Sequence, residues 1–454
     1  MQVVMEVVVV LVIAALALRG ISNPFVALLA LLVVYIVQPG ELYPHLGVLH
    51  LERMLAIFTL LSFFLHGERL NFPPVTKWFL AFYGAMIASI PLAFWRVNSV
   101  GFCIFFLEVV FFHLLIVALL TSEERVKQFL ITTVALTGWL AGTSLFMYET
   151  GPRVVHMGIE RAEGLTSAGG DPNTLGLTLI CTLPLDLLLL AKDNSKWVRL
   201  LGLGVCVVSI VTVIVTGSRT SFFGLLFMML LLFIADWKRK LKFLPILLVV
   251  LPVLWLAVPQ QYKARYETVD NLQADDSYQN RILSWEGGFH MFLHNPITGV
   301  GPDNYTVANG NKYWPGTGQK HWLNAHSLYF KLLGELGLIG VITYFGYLYQ
   351  LFRENHRLTS LLKDQGVSRM LQKYPLHCQM CLCLLLFAGY SQHNTYRSQW
   401  FIFGAISAAV GRLQTEKTSS TVLAPARAKK GRPVGAWVPG AEAATVDALS
   451  IQRL

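Results

Sequence analysis

What most limits this chain is its succession of long apolar runs, near residues 2–18, 22–38, 50–65, 78–95, 100–120, 128–147, 172–191, 198–216, 220–235, 243–258, 326–352, 376–391 and 396–412. Most reach the roughly 17 to 25 residues that carry a helix across a bilayer core. Only 14% of the chain is charged, against roughly 25% in soluble domains. A soluble fold is excluded. So is a β-barrel, whose strands would alternate apolar and polar residues where these runs are continuous. The fold class is therefore an all-α polytopic membrane protein of about 12–13 transmembrane helices, each satisfying its own backbone in lipid. The opening run has no basic stretch before it and reads as a retained span rather than a cleaved signal. Arg19–Pro24 joins it so tightly to the next run that the first two segments could be short or re-entrant.

A net charge of +10, from 36 Lys and Arg against 26 Asp and Glu, would suggest nucleic acid in a soluble protein. In a membrane protein the placement of those charges matters more, and no nucleic-acid partner is expected. The links Lys192–Arg199, Asp236–Lys242 and Arg353–Lys373 are basic, as is the tail with Arg427, Lys429, Lys430 and Arg432, so all four read as cytoplasmic. The loop 148–171, the turn Gly217–Ser221 and the long segment 259–325 then face outward. The chain divides into N-terminal transmembrane helices (1–147), helices carrying two outward loops (148–258), the long outward loop (259–325), C-terminal transmembrane helices (326–412) and a basic tail (413–454). The tail is rich in Ala, Pro, Gly and Lys, which predicts disorder on the cytoplasmic side.

All six cysteines fall in apolar segments and read as small buried hydrophobes. The Cys378-x-x-Cys381 spacing lacks a second pair to close a metal site. There is no phosphate-cradling P-loop, no dinucleotide fingerprint and no internal repeat. Chemistry on the outer face has no ATP to draw on, so a substrate must arrive activated, which directs attention to outward polar residues.

Four clusters stand there. The first is Arg161-Ala-Glu-Gly164 through Asp171-Pro172-Asn173, where Asp171 or Asn173 can cap a helix and the glycines admit close backbone approach; the plain alternative is an ordinary capped loop. The second is the turn Gly217-Ser-Arg219-Thr-Ser221, whose arginine either snorkels to headgroups or, with the flanking hydroxyls, holds an anion. In the third, Ile282, Trp285, Phe289 and Phe292 recur at helical spacing, making an amphipathic helix that lies on the membrane or on the bundle, with Arg281 near its N-terminus. The fourth is Asn324-Ala-His326-Ser-Leu-Tyr329 through Glu335, in which His326 sits at the mouth of a span and can exchange a proton near neutral pH. Glu335 lies about 13 Å further along the helix and near its opposite face, so it pairs with another helix rather than orienting His326. Asp275-Asp276 could bind a divalent ion, although an exposed acidic pair is usually just solvated.

Taken together, the R-x-x-G…P-N loop (Arg161, Gly164, Pro172, Asn173), the G-S-R-T turn (Arg219), the R-x-x-x-W…N-P-x-x-G-x-G stretch (Arg281, Trp285, Asn295, Pro296, Gly299, Gly301) and the H-S-x-Y…E-x-G helix (His326, Tyr329, Glu335, Gly337) resemble the O-antigen ligase and O-antigen polymerase superfamily. The likeness spans about residues 150 to 345. It implies a glycosyltransferase of C-type architecture in the bacterial inner membrane, with a periplasmic active site, a long periplasmic loop and a cytoplasmic C-terminus. The implied donor is a glycan on undecaprenyl pyrophosphate. The acceptor would be lipid A core, a protein, or, for a polymerase, a second lipid-linked glycan. No cofactor or metal is implied. By the same resemblance Arg219 and Arg281 hold the pyrophosphate, Arg161 matches a related motif position, His326 activates the acceptor hydroxyl, and Asn173, Trp285, Tyr329 and Glu335 support the site. A transporter or flippase would also have about a dozen spans, but should show midplane ionisable residues in two related halves rather than cations gathered at one face.

Overall fold

A computed structural model describes residues 2–151, 155–156, 159–235, 276–316, 321–363 and 366–423. The expected span at 243–258, the link Asp236–Lys242, Asp275 and the tail from residue 424 lie outside the described residues. The apolar runs become α1 (Gln2–Ser22), α2 (Pro24–Val37), α3 (Leu51–Leu65), α4 (Pro74–Ser89), α5 (Arg96–Leu119), α6 (Glu123–Thr150), α7 (Pro172–Leu188), α8 (Lys196–Val215) and α9 (Arg219–Ala235). After them come α10 (Asp276–His294), α11 (Leu328–Leu361), α12 (Arg369–Gly389) and α13 (Ser398–Leu423). Several starts follow from local chemistry. The side chains of Asn23, Ser122, Asp171, Ser195 and Ser368 each accept a first-turn N–H, and prolines follow two of them at the first helical position.

Among the described residues seven helices are long and apolar enough to cross a membrane: Pro24–Leu42, His45–Leu65, Pro74–Leu92, Arg96–Leu119, Glu123–Thr150, Lys196–Val215 and Leu328–Leu361. Val9–Ser22, Pro172–Leu188 and Arg219–Ala235 are shorter apolar helices. The protein is thus an all-α polytopic membrane protein. The sole β-structure among the described residues is a two-residue ladder, β1 (Val155–His156) against β2 (Ile159–Glu160).

The chain falls into two units, Met1–Gln414 and Thr415–Leu454. The second is described through Leu423, all of it helical. Helix therefore continues past Arg412, where composition placed the start of a disordered tail, because no Gly or Pro interrupts the chain before Pro425.

Within the first unit α4, α5, α11 and α13 meet in an aromatic core. Phe79 and Phe401 lie 4.5 Å apart, Phe82 and Tyr344 5.1 Å, and Phe106 and Phe401 5.3 Å. His113, buried among them, is satisfied by the Thr76 hydroxyl at 3.0 Å and the Phe401 carbonyl at 2.9 Å, so it serves packing.

Helix α11 is broken at Gly337, whose φ of 56° and ψ of −152° belong to a region only glycine occupies readily. The N-P-x-x-G-x-G loop fills the break. Val300 and Gly301 N–H groups donate to the Gly334 and Glu335 carbonyls at 2.9 and 2.8 Å, while Leu338 N–H donates to Pro296 O at 2.9 Å. The backbone groups freed by the break are thereby satisfied within protein, as low-dielectric surroundings require. Gly337→Ala should destabilise the protein by about 1–3 kcal/mol, since a Cβ there would also meet the Ile297 carbonyl. Gly142→Ala, in open space on α6, should be neutral or slightly stabilising. Thermal melts of both variants in detergent check this pair.

Helix α10 packs on the bundle, one of the two placements its spacing left open. Ile282 and Phe289 of the apolar stripe are exposed at 37% and 46%, whereas Ser284 and Met291 are fully buried. The small residues decide it: Gly288 packs against Tyr305 and faces Gly334 of α11, so the backbones approach closely and the larger apolar side chains turn outward. The helix lies on the bundle and presents an apolar stripe away from it.

Candidate active site

The first element to fix is the turn that carries Arg219. Helix α8 ends at Val215, Gly217 takes φ 57°, and α9 begins at Arg219 itself, its start tied by Phe222 N–H to Ser218 O at 2.9 Å. Thr220 shares a 2.6 Å hydroxyl contact with Ser391 from the loop after α12.

Arg161 braces this turn from beneath. It is 4% exposed; its Nε donates to Thr216 O at 2.6 Å and its guanidinium to Asn173 Oδ1 at 2.8 Å, while Ala162 N–H donates to Val215 O at 2.9 Å. A cation thus meets the last carbonyls of α8, where the helix dipole is negative. Asn173 is in turn fixed by its own N–H on Asp171 Oδ1 at 2.9 Å, and its carbonyl accepts from Gln392 at 3.1 Å.

Arg281 comes from the second turn of α10. Trp285, one turn on, lies flat against Phe330 at 5.4 Å and edge-on to Tyr390 at 5.3 Å, which holds α10 to α11 and to the loop after α12. The result is a cavity of about 620 Å³ whose lining includes Arg219, Thr220, Tyr278, Arg281, Tyr329 and Ser391, backed by Phe223, Phe227 and Phe387. Two arginines far apart in sequence therefore face one volume, with aromatic walls beside them. Tyr329 contributes its ring and donates its hydroxyl to Leu386 O at 3.1 Å. Arg161, Asn173, Trp285, His326 and Glu335 are not among the lining residues; Arg161 and Asn173 support the turn that is.

His326 precedes the N-cap Ser327 of α11 and adopts φ 45°, a left-handed conformation uncommon outside glycine that the surroundings must hold in place. Its ring meets His393 edge to face at 5.5 Å. Burial, with the positive charges of Arg281 and Lys331, pushes the imidazole below its ordinary 6.5, and Asp171 pulls the other way. His326 is consequently neutral at pH 7. Burial pushes the Asp171 carboxyl up, but hydrogen bonds from Thr174 and Asn173 outweigh it and keep the group ionised.

Glu335 does not approach His326. It is fully buried, accepting from the Tyr396 hydroxyl at 2.8 Å and the Tyr305 N–H at 3.0 Å, with the Lys331 ammonium 3.7 Å away. Asp276 opens α10. The motif reading passed over Ser391, His393 and Lys331, and gave Asp171 only a capping role. The polar run Ser391-Gln-His-Asn-Thr-Tyr-Arg397 between two apolar segments was the available signal.

A comparison with curated proteins gave no match. A family model described as O-antigen ligase matches residues 204–345, the stretch that holds Arg219, Arg281, Trp285, His326, Tyr329 and Glu335 and leaves Arg161 and Asn173 outside. Residues 204–345 of this all-α membrane protein are thus similar to the O-antigen ligase family.

Proposed function

We propose that this protein transfers a glycan from undecaprenyl pyrophosphate to an acceptor hydroxyl at the periplasmic face of the bacterial inner membrane. The observation that carries the reading is the shared cavity of Arg219 and Arg281, with neutral His326 under the electrostatic influence of Arg281. Breaking the bond from anomeric carbon to pyrophosphate leaves negative charge on the departing group, and two guanidinium forks stabilise that charge more in the transition state than in the ground state. A neutral imidazole removes the acceptor proton as the new bond forms on the opposite face of the sugar, so the anomeric centre inverts. Arg161 and Asn173 position the Arg219 turn, and Trp285 positions the helix that bears Arg281.

The charge distribution supports the periplasmic reading. Arg219 and His326 stand at one end of their helices, while the basic link Lys192–Arg199 and the start of α12 meet at the other, where Met370 N–H reaches Asp193 Oδ2 at 3.4 Å.

The decisive assay is transfer by the purified full-length protein from a lipid-pyrophosphate glycan, run separately with lipid A core, a protein acceptor and a second lipid-linked glycan. Product with one of the first two marks a ligase, product with the third a polymerase, and none with all three refutes the reading. Activity should survive thorough EDTA treatment because side-chain cations supply the charge stabilisation. Loss on chelation with recovery on Mg²⁺ or Mn²⁺ would move the leaving-group chemistry to a metal and Asp275-Asp276.

A further inference from the structure

The segment between α12 and α13 has a cavity on either side. Tyr390 and Ser391 line the one that holds Arg219 and Arg281. Tyr396, Arg397 and Ser398 line a second, of about 550 Å³, among residues of α2, α5, α6, α7 and α13. His393, midway along the segment, is the residue that meets His326.

Arg397 is the group in the second cavity that calls for a partner. Its guanidinium donates to the Thr178 hydroxyl at 2.7 Å, and among the described residues no carboxylate stands within ion-pair distance of it. The three carboxylates that line the same cavity are engaged elsewhere: Glu108 pairs with Arg53 at 3.6 Å, Glu41 accepts from the Ser167 N–H at 2.7 Å, and Glu52 stands 4.0 Å from His50. Burial is the largest influence on Arg397 and pulls it below the usual arginine range, with the more distant Asp171 charge pulling the other way. A cation removed from water without a carboxylate is costly until an anion completes it. The remaining walls combine apolar Leu32, Ile36 and Phe105 with the amides of Gln38 and Gln399, a lining suited to a molecule with both apolar and hydroxyl-bearing parts.

We propose that this second cavity takes the acceptor, as an amphiphile whose phosphate or carboxylate is held by Arg397. The assignment rests on the transfer reaction proposed above. Donor and acceptor then lie at the two ends of Tyr390–Ser398, whose His393 meets His326, the residue that takes the acceptor proton in that reaction. Arg397 lies outside residues 204–345, so the residue that selects the acceptor is carried by a part of the chain the family model does not cover. A phosphate at Arg397 has two sources, an acceptor or a bilayer phospholipid, and the test separates them.

Purified full-length protein in dodecyl maltoside is titrated with dodecyl phosphate in an Arg219→Gln/Arg281→Gln background, which removes the cations of the other cavity. Binding that persists there, and weakens about tenfold or more on adding Arg397→Gln but less with Arg397→Lys, supports the site. Equal affinity with and without Arg397 overturns it. In the transfer assay, Arg397→Gln alone should raise the acceptor KM by a similar factor and leave donor affinity unchanged. If phosphatidylglycerol vesicles displace dodecyl phosphate while the acceptor KM does not move, the cavity holds a bilayer lipid and the acceptor assignment falls. Failure of the reaction itself would appear as a parent protein without transfer, and the titration reports on Arg397 independently of turnover.

Discussion

His326→Ala is expected to lower single-turnover transfer by about 10² to 10⁴-fold, the usual contribution of a general base, while donor binding through Arg219 and Arg281 persists. His326→Gln keeps polarity without comparable basicity and should fare little better. The pH dependence gives a second reading of the same residue. Burial and Arg281 hold His326 below its ordinary 6.5, so the competent neutral form is present at pH 7 and above. Transfer should decline only as pH falls through that lowered value, placing the acid limb of kcat/KM below about 6.5. Donor affinity and single-turnover rate, measured on variants at matched membrane abundance, check the prediction. Transfer at the parent rate by either variant would make His326 structural and move the search for a base to His294 and Glu286.

Arg219→Lys and Arg281→Lys are each expected to reduce transfer by about 10²-fold or more while the protein still reaches the membrane, because lysine keeps the charge but cannot reproduce the two-pronged phosphate contact. Arg161→Lys should behave differently. It removes the fork that spans Thr216 O and Asn173 Oδ1, so the loss should include thermal stability as well as rate. Melting curves alongside donor-binding isotherms distinguish the two cases. Full activity in both Arg219→Lys and Arg281→Lys would remove the arginines from the leaving-group assignment.

Much of the fold was legible in hydropathy because a membrane span must satisfy its backbone within one continuous helix, and the apolar residues that do so stand side by side in sequence. The expected spans at 22–38, 78–95, 100–120, 128–147, 198–216 and 326–352 all recur as helices long and apolar enough to cross. The cap at Asp171 was legible for a related reason, since it acts on an N–H group two residues away. The burial of α10 was not. Four apolar residues at helical spacing left membrane and bundle open, and Gly287, Gly288 and Ser284 face the bundle because close backbone approach depends on what the opposing helix offers, here Gly334.

By itself the sequence determined an all-α membrane protein and the residue types available for chemistry at one end of its helices, because each follows from interactions within a few residues of chain. Tertiary structure alone decided that Arg219 and Arg281 face one cavity, that Arg161 sits beneath the Arg219 turn, and that Ser391 to Arg397 stands between two cavities with His393 against His326. Those neighbours lie tens to hundreds of positions apart, and no local pattern encodes them. They are set by which helices pack together, and that packing depends on the shapes of whole buried surfaces rather than on any single motif.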